Sequence, residues 1–220
     1  MIPKVIHYVW VGGTPLGTLQ KKCVASWRKY LPEYEFKLWN EETLPKTVFD
    51  HPYVQEMYRR KKWAFVADYV RFWALTEEGG IYLDTDTEVL KSFDALLAHA
   101  AFFGKTKDGV TASGVIGSIP HHVALCDIRA VYDAQMEYDV PCTSPQIVTD
   151  VLTYGTYPDV VVYDYRYFNP CDDGERCSSE KLALAYATNH WAESWVPHAG
   201  LRKIARRLGV MRIVKKIFQR

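Results

Sequence analysis

The segment GGIYLDTDTEVL (79–90) sets two carboxylates, Asp84 and Asp86, one residue apart at the end of an apolar run. In extended backbone, residues i and i+2 project to one face and two residues span about 6.6 Å. Like charges so placed repel unless water or a cation screens them. Mg²⁺ or Mn²⁺ is the cation to expect, because hard divalent ions take carboxylate and phosphate oxygens; with only one or two protein carboxylates it keeps open positions that a diphosphate can fill. A second charged pair stands just upstream in WAFVADYVRFWALTEEGG: Asp68 and Arg71, three apart and therefore on one helical face. Apolar residues cover most of that helix, so both charges are expected to be buried, which is expensive unless they are paired or bonded. Either they form an intrahelical pair, or Arg71 faces an anionic ligand while Asp68 fixes hydroxyls. The direct passage through Gly79-Gly80 into the aspartate pair favours the second.

The elements that must position these groups alternate. VIHYVWV (5–11) reads as a strand ending in Gly12-Gly13, where backbone can approach a ligand closely. A helix over about 16–30, a strand YEFKLWN (34–40), helical stretches 53–62 and 63–78, and a strand IYLDTD follow. Strand–helix alternation of this kind predicts an α/β sheet with parallel strands, whose ligands sit outside the carboxyl ends of the strands. Further on, AAFFGK, GVIGSI and VVVYDY (160–165) read as strands, 121–138 and 145–153 as helices, and 166–180 as a loop.

A chain of 220 residues predicts one domain with a substantial core; 48% apolar residues and no 18-residue apolar run argue against a membrane span. MIPKVIHYVW lacks a charged leader, apolar core and cleavage site, so no secretory signal is expected. The net charge of +1 hides an asymmetry. Residues 201–220 hold eight Lys or Arg and no acid, leaving a formal −7 on residues 1–200. Leu201, Ile204, Leu208, Met211, Val214 and Phe218 recur at helical spacing between those bases, so the tail reads as a basic amphipathic helix and a candidate for an anionic membrane surface. A terminal helix packed on the domain is the other reading; nucleic acid is not an expected partner of an acidic body. Five cysteines without zinc-ligand spacing suggest reduced thiols and a cytoplasmic setting, with Cys171 and Cys177 favoured as free over paired.

The pieces IPKVIHYVWVGG, YEFKLWN, ADYVRFWALTEEGGIYLDTDTEVL, SGVIGSIPHH, TSPQIVT and NHWAESW, in this order and over most of residues 2–195, resemble the DXD-containing sugar transferases of glycosyltransferase family 32. That family includes yeast initiating mannosyltransferases and bacterial capsule or lipopolysaccharide enzymes, and is more distantly similar to clostridial glucosylating toxins. The resemblance implies a single domain of glycosyltransferase A type (residues 1–200, followed by the tail 201–220) with a mixed, mostly parallel sheet. It also implies a nucleotide-sugar donor, most simply a UDP-sugar, a divalent metal, retention of configuration, and a glycan or lipid-linked acceptor in cell-surface polysaccharide assembly. Trp10 would stack on the base, Asp68 and Arg71 would bind donor sugar and phosphate, and Tyr82 would line the donor site. Asp84 would bind ribose or metal-bound water, and Asp86 the metal. NHWAESW offers a third metal contact, His190 before Ser194. Asn40 would either touch the nucleotide or cap a strand end. Ser144 stands where the family form T-G-P has glycine, and Ser113 where many relatives carry asparagine.

Two rival readings use the same residues. IYLDTDTEVL fits the first motif of haloacid-dehalogenase phosphatases, with Asp84 as nucleophile, Asp86 as acid–base and Thr87 in support; that class needs a later acidic pair after a strand, and the candidate Asp172-Asp173 sits in a Pro- and Cys-flanked loop. A non-enzymatic, metal-dependent sugar-binding or membrane-adaptor protein would explain the Asp pair and the tail, but not a buried Asp68–Arg71.

Overall fold

Two apolar faces on one sheet organise the chain. In the computed structural model, which describes residues 1–134, 142–172, 175 and 177–192, six strands lie in the order β2 (Glu35–Trp39), β1 (Val5–Val9), β3 (Gly80–Leu83), β6 (Thr111–Ser118), β5 (Ala101–Lys105) and β7 (Val160–Tyr163). All neighbours are parallel except at β6, which runs antiparallel to both β3 and β5. The expected mixed, mostly parallel α/β sheet is therefore present. Alternation sends Val9, Tyr82, Phe103 and Ile116 into one core and Ile6, Tyr8, Ile81, Leu83, Phe102 and Val115 into the other. Burial on both faces is what a largely parallel sheet requires.

Helices α2 (Lys46–Phe49), α3 (Pro52–Arg59), α4 (Trp63–Glu78), α5 (Val123–Ala134) and α6 (Ser144–Tyr154) contribute to the first core. Helix α1 (Thr18–Tyr30) covers the second face through Cys23 and Trp27, four residues apart on one side. The Trp27 indole donates to Thr87 O (2.7 Å), tying α1 to a two-stranded antiparallel ribbon of β4 (Thr87–Val89) and β8 (Ala187–Asn189). A four-residue helix, α7 (Ser179–Leu182), precedes β8, and Tyr165–Tyr167 form a 3₁₀ turn, so 166–180 is less irregular than expected.

Successive crossovers place β2 and β3 on opposite sides of β1, with Ile6 opposite Ile81 and His7 opposite Tyr82. This register brings the carboxyl ends of β1 and β3 level, so that Trp10 and Asp84 emerge at one edge, where strand order reverses. Such a switch point is where open α/β sheets bind ligands. The chain enters β3 through Gly79 (φ +66°) and Gly80 (φ +98°). At Gly80 a Cβ would come within 2.7 Å of Val5 O, so only glycine lets β3 start this close to β1.

Three expectations need correction here. β3 ends at Leu83, not at Asp86: Thr87 N–H donates to Asp84 O (2.9 Å), and the two aspartates sit on a turn and not along an extended strand. Cys171 and Cys177 form a disulfide, their Cα atoms 5.8 Å apart and within bridging range, while Cys23, Cys126 and Cys142 are free. The odd cysteine count therefore does not speak for a reducing compartment. Helix α5 starts at Val123. Ser194 and the tail 201–220 lie outside the described residues. Among the described residues no helix is long and apolar enough to cross a membrane.

Candidate active site

A cavity of about 420 Å³ opens at the carboxyl edge of β1 and β3, and its wall includes Trp10, Trp63, Asp68, Arg71, Tyr82, Asp84, Asp86, Ser113, Ser144, Asn189 and Trp191. Helix α4 brings two of these as a unit. It carries no glycine or proline over sixteen residues and is wrapped by core on most sides, so Asp68 and Arg71 are held one turn apart against the sheet. Arg71 is 4% exposed and its Nη2 lies 3.0 Å from Asp68 Oδ1 and 3.0 Å from Asp84 Oδ1. Its Nη1 donates to Ser113 O (2.5 Å), and the guanidinium stacks 4.3 Å over the Tyr82 ring. Tyr82 donates its hydroxyl to Asp84 Oδ1 (3.1 Å). Both terminal nitrogens of Arg71 are thus taken by protein oxygens. The guanidinium organises the carboxylates and does not stand open for an anion, because two buried acids have already matched its charge.

Electrostatics separate the acids. Burial pushes the Asp68 carboxyl up to about 6, with Asp84 adding to the rise and Arg71 opposing it. Burial and the neighbouring Asp84 push Asp86 up to about 6 as well, against the Ala192 N–H that donates to its Oδ2 (2.7 Å). His190, whose backbone N–H donates to Asp86 O (3.0 Å), opposes part of that rise, so the negative charge of the pair is only partly offset on the Asp86 side. The oxygens facing protein donors are Asp84 Oδ1 and Asp86 Oδ2; the other oxygen of each is what a hard divalent cation would take. Asp84 Oδ2 lies over Gly114, where a Cβ would come within 2.8 Å of it and within 3.2 Å of Asn189 Nδ2. The donor set, two carboxylates crowded with too little positive charge, fits Mn²⁺ or Mg²⁺. Among the described residues no three His, Cys, Asp or Glu side chains converge as a metal cage.

Of the residues expected from sequence, Trp10, Asp68, Arg71, Tyr82, Asp84 and Asp86 come together in the cavity wall. Trp10 is half-buried just past β1, and its indole donates to Thr14 O (2.5 Å). Asn40 does not line the cavity: its Oδ1 accepts from Glu42 N–H and Thr43 N–H (3.0 Å each), capping the turn after β2. His190 is also misassigned. Its Nε2 lies 2.8 Å from Glu88 Oε2, because continuing the alternation of β8 turns residue 190 away from the cavity while Asn189 and Trp191 face it. Sequence reasoning missed Asn189, Trp191, Trp63 and Gly114. The segment NHWAESW had drawn notice, but the choice within it depends on the register of β8 with β4, Thr87 opposite Asn189.

The phosphatase reading fails on this geometry. That class needs a later acid beside the first pair, whereas the candidate Asp172 pairs with Lys107 (2.8 Å), outside the cavity wall; Asp173 lies outside the described residues.

Residues 17–103 match the family described as the glycosyltransferase sugar-binding region containing a DXD motif. An uncharacterised glycosyltransferase of Acanthamoeba polyphaga mimivirus is 28% identical over 93% of this chain and 88% of that protein. Inositol phosphoceramide mannosyltransferase 3 of Schizosaccharomyces pombe is 29% identical over 58% of this chain, but the match spans only 36% of that longer protein. Among solved structures, the PaToxG glycosyltransferase superposes with a TM-score of 0.57 at 15% identity, covering 69% of this chain and 68% of that one; the shared architecture is the glycosyltransferase A fold. A DXD motif generally goes with a divalent cation and a nucleotide-sugar donor. Motif, sheet and relatives converge: residues 17–103 carry the glycosyltransferase sugar-binding region with its DXD motif, on a glycosyltransferase A fold, and the chain is similar to the yeast mannosyltransferases.

Proposed function

We propose that the chain is a divalent-metal-dependent, retaining hexosyltransferase that moves a sugar from a nucleoside-diphosphate donor to a glycan or lipid-linked acceptor. The observation that carries the reading is Arg71, 3.0 Å from both Asp68 and Asp84, holding two acids in the wall of a cavity beside a third, Asp86, which burial and Asp84 push up to about 6.

Each residue has a role that follows from its surroundings. Trp10 and Trp63 flank the mouth of the cavity beside Gly12 and offer apolar faces to a nucleotide base. Asp68, buried and one turn from Arg71, accepts hydrogen bonds from hydroxyls of the donor sugar. Arg71 fixes Asp68 and Asp84 in the orientation in which they meet the donor hydroxyls and the cation. Preorganised charge of this kind is commonly the largest catalytic contribution. Asp84 and Asp86 would hold Mn²⁺ or Mg²⁺, which when bound neutralises charge building on the leaving diphosphate. In the transfer, the bond from the anomeric carbon to the phosphate oxygen breaks as the bond to the acceptor oxygen forms on the same face. The acceptor's proton passes to the departing phosphate oxygen, and the transition state has oxocarbenium character. No carboxylate of the site is free of Arg71 or the cation position to act as a covalent nucleophile.

The relatives named as mannosyltransferases of inositol phosphoceramide make a mannosyl donor and an inositol-phosphate lipid acceptor the first substrates to try, beside UDP-hexoses and surface-polysaccharide acceptors. The basic tail supports attachment to an anionic membrane surface, where a lipid-linked acceptor would be met. The test is donor turnover with Mn²⁺. Asp86→Ala should reduce it by at least a hundredfold with the circular-dichroism spectrum unchanged; near-normal turnover in that variant would refute the role of the acid pair.

A further inference from the structure

Trp191 lies at the cavity edge with φ +50°, a backbone conformation that bulky residues adopt only when held there. Three hydrogen bonds hold it. Its own N–H donates to Asn189 Oδ1 (2.6 Å), its indole Nε1 donates to Cys171 O (3.0 Å), and the next N–H, of Ala192, donates to Asp86 Oδ2 (2.7 Å). The acceptor of the indole is itself anchored. Cys171 is buried and crosslinked to Cys177, and Lys107 Nζ holds the same loop through Asp172 (2.8 Å) and Glu175 (3.0 Å).

We propose that Trp191 is a positioning residue that transmits the constraint of the Cys171–Cys177 crosslink to Asp86. The indole pins residue 191 in its left-handed conformation, and that conformation delivers the Ala192 N–H which aims the Asp86 carboxylate. Divalent-cation affinity is therefore set in part by the crosslinked loop, twenty residues back in sequence, and falls when the loop is reduced. The inference rests on the reading of Asp86 as a cation ligand.

Mn²⁺ binding, followed on the full chain by the electron-paramagnetic signal of the free ion, with metal alone and with UDP, tests the link without any need for turnover. Trp191→Phe keeps an aromatic ring at the cavity edge while removing the indole N–H. It should weaken Mn²⁺ binding about fivefold, the factor carried by one ordinary hydrogen bond of about 1 kcal/mol. Cys171→Ser/Cys177→Ser, or reduction of the wild type, should cost the same factor, and the triple variant should be no worse than either. Unchanged affinity in Trp191→Phe, or losses that multiply to about 25-fold in the triple variant, would overturn the proposal, since the two sites would then be uncoupled. A role confined to stability would lower the metal-free melting temperature without moving Mn²⁺ affinity, which also overturns it. Should Trp191→Phe fail to fold, the serine pair and the reduced wild type carry the same test. Asp86→Ala reports on the underlying reading by itself: if it binds Mn²⁺ as the wild type does, that reading falls, and it falls whatever Trp191 does.

Discussion

At the level of single residues, the site depends on one absent side chain as much as on those present. Gly114 lies on β6 beside the end of β3, and its backbone carbonyl accepts from Asp84 N–H (2.9 Å). A methyl group there would press within 2.8 Å of Asp84 Oδ2, closer than real contacts allow, and crowd Asn189 from the other side. Asp84 is held from behind by Arg71 and Tyr82, so it cannot retreat without breaking those bonds. Gly114→Ala should therefore reduce donor turnover at least tenfold while costing only about 1–3 kcal/mol of stability, the range for overpacking by one methyl group. Steady-state kinetics and urea unfolding of the same sample check both halves, and a variant with full activity would show that Asp84 has room to move. Asp68 and Arg71 were legible because an i,i+3 spacing inside one helix fixes their relation locally. Asp84 and Asp86 were legible by type but not by geometry: alternation along a strand was assumed, and a turn closed by Thr87 N–H replaces it. Gly114 could not be read, since what makes it matter is the neighbouring strand.

Among the elements, β1 is joined to β2 and to the end of α4 through a single buried ring. His7 is fully buried, its Nδ1 accepts from Trp39 Nε1 (3.1 Å), and its Nε2 lies 2.8 Å from Gly79 O. These partners select the neutral tautomer with the proton on Nε2, donating to the carbonyl that ends α4. Protonating Nδ1 would set a proton against the indole N–H. Burial accordingly lowers the His7 pKa below its ordinary 6.5, despite the favourable carbonyl. A depressed histidine pKa means that its contribution to stability is fully present above about pH 6.5 and is lost as pH falls below that toward the folded value. The carboxyls of Asp68 and Asp86, both raised to about 6, act in the opposite sense in the metal-free protein: they contribute below the unfolded carboxyl range and lose that as pH rises through 6. The His7 effect is isolated by difference. Between pH 7.5 and 5, the wild type should lose more unfolding free energy than His7→Gln does, measured by urea titration without divalent metal. Parallel pH profiles would mean that the ring is not titrating in that window. Strands and helices of this sheet were largely legible because its apolar runs and Gly79-Gly80 punctuate them. The β4–β8 ribbon was not, since three-residue strands about a hundred residues apart leave no local period. The error at His190 followed from that.

For the whole molecule, charge is distributed unevenly along the chain, and function should follow it. The twenty residues 201–220 carry eight Lys or Arg without an acid, whereas residues 1–200 are formally −7. A body of that sign is repelled by an anionic bilayer, so any attachment has to come from the tail, whose apolar positions recur at helical spacing between the bases. Each basic residue near an anionic surface contributes about 1 kcal/mol, and the attraction weakens as salt shortens the Debye length. Deleting 201–220 should therefore lower sedimentation with phosphatidylserine-containing vesicles at least tenfold at 0.1 M salt. The full-length chain should approach the truncated one as salt rises toward 0.5 M, and neither should bind neutral vesicles. Donor turnover in solution should stay within about twofold, because the wall of the cavity among the described residues is already furnished by strands and helices before residue 193. The order of these effects separates the two readings of the tail that the sequence left open. A helix packed on the domain would, when removed, expose apolar core and lower the melting temperature, while vesicle binding stayed the same. A membrane-facing helix would change the partition and leave the melt where it was, because its apolar side never belonged to the fold.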